Sequence, residues 1–277
     1  MSSDVDINAV CRSWRNGVKK KFRGIASFEE RAQARFAVIE EALFTRRAAI
    51  DGWEYRPMTY NDWGDYTELG PWRSIAVGEQ WGQEGPSAFF RATARVPEDF
   101  AGQRVMLRLY VGGDSLLTVD GRPWHGIDPF RHDLFLLEEA AGGEELRLEC
   151  ETYAHYHAPR KDHQQAFALA ELAAVDQPVW EAYWDLWCVA KMLQIPDLDE
   201  RLERFIEYHL WEAMKLVPVQ SDDRASLRQA ILAAGAAIRQ TVYASDRFKG
   251  EGRMHFVGHS HLDVVFMWPH KEYLRKV

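Results

Sequence analysis

Between Phe89 and Glu151 short apolar runs alternate with turn signals, and no stretch between them is long and periodic enough for a helix. Phe89 to Val96 reads as a strand stopped by Pro97, Val105 to Val111 as a second stopped by Gly112-Gly113, and Leu116 to Val119 as a third ended by Asp120-Gly121. Phe135 to Leu137 and Leu146 to Glu151 add two more, with Gly142-Gly143 between them. Closely spaced strands without crossover helices can pair only with antiparallel neighbours, which predicts a sandwich of the jelly-roll kind. The segment D-S-L-L-T-V-D-G-R-P-W-H-G-I-D has the form of a hairpin turning at Asp120-Gly121.

The flanks follow a different period. Ser27-Phe28-Glu29-Glu30 is a capping box, and Phe36, Ile39, Leu43 and Ile50 follow at roughly helical spacing, which predicts a helix over 27–50. From Asp51 to Gly85 the chain is rich in Trp, Gly, Pro and Asp and reads as an irregular lead-in. Its tryptophans Trp53, Trp63, Trp72 and Trp81 suit either an aromatic sugar platform or packing beneath loops. After Tyr153 helical spacing returns through Trp180, Tyr183, Trp184, Trp187, Val189 and Leu193, and again from Asp199 to Met214. A third helix is expected from a Ser221-Asp222-Asp223 cap to Tyr243, with bends at Pro196 and Pro218. The expected class is α+β, in four parts: an N-terminal helical segment (1–50), an accessory β sandwich (51–152), a helical connector (153–250) and the start of a metal-dependent domain (251–277).

Composition removes several functions. A net charge of -8 over 277 residues argues against nucleic acid as a partner, and the one basic run, Arg15 to Arg23, is short. No apolar run approaches the length of a membrane span, and the first residues lack the pattern of an export signal, so a cytoplasmic protein without a membrane partner is expected. Cys11, Cys150 and Cys188 are widely separated and read as reduced thiols. His125, His132, His155 and His157 are scattered through the sandwich segment and read as loop or packing residues.

The chemistry concentrates near the end, in G-H-S-H-L-D-V-V-F-M-W-P-H-K-E-Y-L-R-K. Met254 to Gly258 reads as a short apolar strand, and ligands of α/β folds collect at the carboxyl ends of such strands. Side chains alternate along a strand, so His259, His261 and Asp263 share one face or rim. Imidazole and carboxylate converging there suit a divalent cation such as zinc, although zinc takes at least three protein ligands. The metallo-β-lactamase pattern H-x-H-x-D-H needs a histidine where Val264 stands, and the amidohydrolases do not favour the Trp-Pro and Lys-Glu that follow.

The stretch closely resembles the first catalytic-strand signature of the α-mannosidases of glycoside hydrolase family 38, in the cytosolic and bacterial branch. Upstream, the G-x-P-x-x-G-I-D pattern at Gly121 to Asp128, followed by a helical connection, resembles the same branch. The resemblance implies that 251–277 opens an α/β barrel and that His261 and Asp263 bind a divalent metal, zinc or in some members cobalt, with His259 not a ligand. It implies a retaining hydrolase that releases terminal α-mannose from mannose-containing oligosaccharides, with nucleophile and acid/base downstream of the motif. No catalytic residue is therefore assigned in this chain, which is expected to be inactive alone. Phe266 stands where the family has a tryptophan against the bound sugar. A homo-oligomeric full-length form is left open. Two other readings remain: a stand-alone carbohydrate-binding or interaction module, and a truncated metallohydrolase of another family.

Overall fold

The structure, a computed structural model, describes residues 27–62, 65–155, 162–246 and 255–258. Helix α1 (Phe28–Ala42) comes first. The strands follow as β1 (Phe44–Ala49), β2 (Glu54–Asp62), β3 (Asp65–Glu68), β4 (Arg73–Ser74), β5 (Gln80–Trp81), β6 (Ser87–Arg95) and β7 (Arg104–Tyr110). They continue as β8 (Asp114–Val119), β9 (Arg122–Ile127), β10 (Asp133–Leu137), β11 (Glu145–Tyr153), β12 (Gln165–Ala166) and β13 (Leu169–Val175). Helices α2 (Gln177–Met192), α3 (Glu200–Met214) and α4 (Arg224–Ile238) follow, and a π-helical stretch Arg239–Tyr243 continues α4 to the expected end at Tyr243. Contacts divide the chain into a sandwich unit containing Arg46–Ala174 and a helical unit containing 27–45 with the described residues between Val175 and Val257.

In the sandwich unit one sheet has the order β1-β13-β7-β10 and the other β3-β2-β6-β11-β8-β9, with β4 also on β2. The central pair is β11 against β6, in register from Glu145↔Arg95 to Tyr153↔Ser87. Alternation sends Ala88, Phe90, Ala92 and Ala94 of β6 inward while Arg91, Thr93 and Arg95 point outward or sit at the surface. The inner layer also takes Leu107, Leu109, Leu117, Leu148 and Leu172, all essentially buried. Asp120 and Gly121 have φ of 50 and 77, the left-handed pair that a two-residue hairpin turn requires, and the expected hairpin is β8-β9.

Three sequence expectations are corrected. The helix over 27–50 ends at Ala42, because Phe44–Ala49 instead joins the sandwich as an edge strand beside β13. A backbone ladder there outweighs a helical pattern already thinned by the gap from Leu43 to Ile50. The irregular lead-in of 51–85 holds β2 to β5, and the expected connector from 153 begins with β12 and β13, whose apolar run Leu172-Ala173-Ala174-Val175 is buried. The expected barrel start is not among these corrections: only residues 255–258 of it are described, with Phe256 and Val257 exposed, and the rest lies outside the described residues.

The helices of the other unit start as their caps dictate. Ser27 Oγ accepts from the Glu30 amide at 3.2 Å and Glu30 Oε2 accepts from the Ser27 amide at 2.9 Å, closing the expected capping box. Asp199 and Asp223 cap α3 and α4 through their second and third amides. Asp176 caps α2 and also receives Arg228 of α4 in a two-pronged contact, Nε to Oδ2 at 2.6 Å and the terminal nitrogen to Oδ1 at 3.1 Å. Next to that clamp α2 and α4 approach closely, since a Cβ on Gly235 would sit 2.6 Å from Ala182 Cβ and 3.0 Å from its Cα.

Two outcomes follow from this packing. Gly235→Ala gains helix propensity yet forces the two helices apart, so a net loss on the order of 1–2 kcal/mol is expected in chemical denaturation. Burial pushes the Cys150 thiol up while Cys188 is exposed, so peptide mapping after a short iodoacetamide pulse should find Cys188 alkylated and Cys150 protected until the chain is unfolded.

Candidate functional site

His259, His261, Asp263 and Phe266 lie outside the described residues, as do His157 and Trp63. Among the described residues no group of three or more His, Cys, Asp or Glu side chains is placed to hold a metal ion. The remaining candidates are the tryptophans and the polar groups gathered at one end of the sandwich.

Of the lead-in tryptophans, Trp53 and Trp81 are core residues, 2% and 1% exposed. Trp81 donates its indole N–H to the Val111 carbonyl at 2.6 Å, and its ring meets Phe90 edge to face at 5.1 Å. Trp72 is half-buried, but the guanidinium carbons of Arg91 and Arg56 lie 4.0 and 5.0 Å from its ring centre. The packing reading holds for these three, and none presents a bare ring to a sugar.

The polar cluster is built where β7 ends, β8 begins, β9 passes to β10 and β11 ends. Gly112 and Gly113, at φ of 95 and 69, turn the chain so tightly that a Cβ on Gly113 would lie 2.0 Å from the Tyr153 carbonyl oxygen. That turn sets Asp114 beside the end of β11, where His155 Nε2 lies 2.9 Å from Asp114 Oδ2. The two groups are in contact without the alignment of a hydrogen bond. Asp128 organises the β9-β10 connection: Oδ1 accepts from the Phe130 and Arg131 amides at 2.8 and 2.9 Å, and Oδ2 accepts from Arg131 Nε at 2.9 Å. His132 has Nδ1 3.1 Å from the Pro129 carbonyl and its ring 6.2 Å from that of Tyr110.

Tyr110 sits among these groups. Burial raises its phenol from 10.0 to about 12, with the Gly113 amide pulling the other way and the Asp114 and Asp128 charges adding to the rise. The cluster brings the Tyr110 phenol together with the side chains of Asp114, Asp128, His132 and His155. Its observed hydrogen bonds order the loop between β9 and β10. His132 and His155 lie outside the strands, as expected from the sequence. Sequence reading missed Tyr110 and Asp114, for which Gly112-Gly113-Asp114 after an apolar strand was the available signal.

The model of the Ams1-like α-mannosidase jelly roll domain matches residues 45–175, the span from β1 to β13. Over residues 45–175 the chain is therefore similar to an α-mannosidase jelly roll domain. Its Gly121 to Asp128 segment, singled out from the sequence, is the β9 strand together with the end of its turn and the Asp128 hub. No curated protein matches the chain. Among solved structures, a β-glucuronidase from Ruminococcus gnavus in complex with D-glucaro-d-lactam is 9% identical, over 48% of this chain and 30% of that one, with a TM-score of 0.33. A Faecalibacterium prausnitzii β-glucuronidase is 16% identical over 40% of this chain and 22% of that one, TM-score 0.29. A putative β-galactosidase from Bacteroides fragilis is 16% identical over 48% and 23%, TM-score 0.33. The chain spans less than a third of the length of each, and likeness at that level says nothing about chemistry. No described helix is long and apolar enough to cross a membrane.

The raised Tyr110 phenol has a pH consequence. Its protonated form is favoured by folding, so this contribution is intact below pH 10, the unfolded value, and is lost as pH rises through about 12. The jelly roll domain should therefore lose roughly 2–3 kcal/mol across that window. Tyr110→Phe should remove that part of the alkaline decline in urea midpoints measured at pH 9 and pH 11.5, at unchanged slope.

Proposed function

We propose that the chain is the N-terminal part of an α-mannosidase, a metal-dependent retaining glycoside hydrolase that releases terminal α-mannose from mannose-containing oligosaccharides. The observation that carries this reading is the similarity to an α-mannosidase jelly roll domain over 45–175, followed in the same chain by Gly258-His259-Ser260-His261-Leu262-Asp263. In this reading His261 and Asp263 hold the metal, zinc or alternatively cobalt, and Phe266 flanks the sugar. An imidazole and a carboxylate are donors that zinc accepts, and two of them fall short of the usual three protein ligands. When bound, the metal would supply a Lewis acid that grips sugar hydroxyls. The two carboxylates that cleave the bond belong, by the family resemblance, after the motif. A cytoplasmic setting without nucleic-acid or membrane partners is part of the proposal, supported by the free thiols of Cys150 and Cys188.

Two measurements test it. The 277-residue chain should not hydrolyse an aryl α-mannoside with zinc or cobalt added, and turnover by it would refute the assignment of the catalytic carboxylates to a following segment. Zinc taken up in equilibrium dialysis should be weak and should fall in His261→Ala and Asp263→Ala. Uptake indifferent to both substitutions would remove these residues from the metal site.

A further inference from the structure

The β8-β9 hairpin carries one irregularity. Leu117 pairs with His125 and Thr118 with Pro123, so Trp124 is an extra residue with no partner across the ladder. A bulge of this kind on an edge strand re-aims a side chain that regular alternation would have placed elsewhere. Here the re-aimed indole donates its N–H to the Phe135 carbonyl of β10 at 3.3 Å, which bridges the open edge of the sandwich and fixes the ring, while Trp124 stays 48% exposed.

Every other described tryptophan has its ring committed. Trp53 lies against Phe167, Trp81 against Phe90, and Trp72 between two guanidinium groups. Trp180, Trp184 and Trp187 meet one another edge to face, and Trp211 is covered by Phe28 and the Arg31 guanidinium. Trp124 alone among them has no aromatic or cationic partner over its ring among the described residues. A large apolar ring that is held by its N–H and left open to water presents a preoriented surface for the C–H face of a pyranose, at little entropic cost.

We propose that Trp124 is a sugar-stacking platform on the jelly roll domain, and that its ligand is a pyranose ring of an α-mannose glycan. The stacking follows from the geometry, whereas the choice of mannose rests on the α-mannosidase reading above. A single half-exposed ring gives weak affinity, on the order of millimolar, suited to holding one unit of a longer glycan. Covering the sheet edge is the competing structural role for the same residue.

The test titrates the full 277-residue chain with α-mannotriose and, separately, cellotriose, following the indole N–H signals by NMR. Trp124→Phe identifies the Trp124 signal as the one that disappears, and keeps an aromatic cover on the edge. The Trp124 signal should move with millimolar α-mannotriose, and Trp124→Ala should weaken binding roughly tenfold in affinity electrophoresis through mannan. If Trp124→Ala lowers the melting temperature and leaves mannan binding intact, Trp124 only covers the edge and the platform is overturned while the mannosidase reading stands. If cellotriose moves the signal and α-mannotriose does not, stacking is upheld and the mannose assignment fails. If neither sugar moves it, the platform fails. Should Trp124→Ala not fold, the indole shift and the Trp124→Phe affinity decide alone.

Discussion

The sandwich depends on an aromatic contact set buried between its sheets. Phe90 of β6 meets Trp81 at 5.1 Å, Tyr55 at 5.8 Å and Phe167 at 6.1 Å, and Phe167 meets Trp53 at 5.4 Å. These five rings come from segments spread over more than a hundred residues, and removing them from water is the dominant force available to fix so many short strands. The same contacts decide what the stretch from 51 to 85 becomes. Rich in turn residues, it has little propensity of its own, but Trp53 and Trp81 anchor it in the core and β2 and β5 form around them. Phe167 does the same for the segment that leads into β13, which closes the second sheet beside β1.

The helical unit is organised by a polar constraint. Asp176 serves two elements, capping α2 and receiving Arg228 from α4, so the start of one helix is tied to the face of the other. Gly235 then allows the two backbones to approach more closely than any side chain would permit. A charge-assisted fork sets direction and a missing Cβ sets distance, and together they leave the pair little freedom.

The sandwich presents its chemistry where its regularity breaks. The Gly112-Gly113 turn brings Asp114 to His155, the Asp128 hub orders the β9-β10 connection, and the bulge at Trp124 turns an indole outward. Regular strands bury one face and solvate the other, so they offer few converging groups. Departures from the ladder, at strand ends and edges, bring groups together or leave a ring uncovered.

Local patterns in the sequence were enough for the elements whose signals are local. The capping box at Ser27 and Glu30, the Asp199 and Asp223 caps, the Asp120-Gly121 hairpin and the alternation of β6, β7 and β11 all appear in the structure, because each is set by residues within a few positions of one another. The terminal H-S-H-L-D motif and the G-x-P-x-x-G-I-D segment pointed to α-mannosidases, and the match over 45–175 agrees for the jelly roll. Only tertiary structure decided that Phe44–Ala49 is strand, that 165–175 belongs to the sandwich, that Trp53 and Trp81 are core while Trp124 is bare, and that Tyr110, Asp114 and His155 meet. The physical reason is common to them. Each depends on partners distant in the chain, supplied by a second sheet or a neighbouring strand, and a sequence window carries no information about which face of a ring another element will cover.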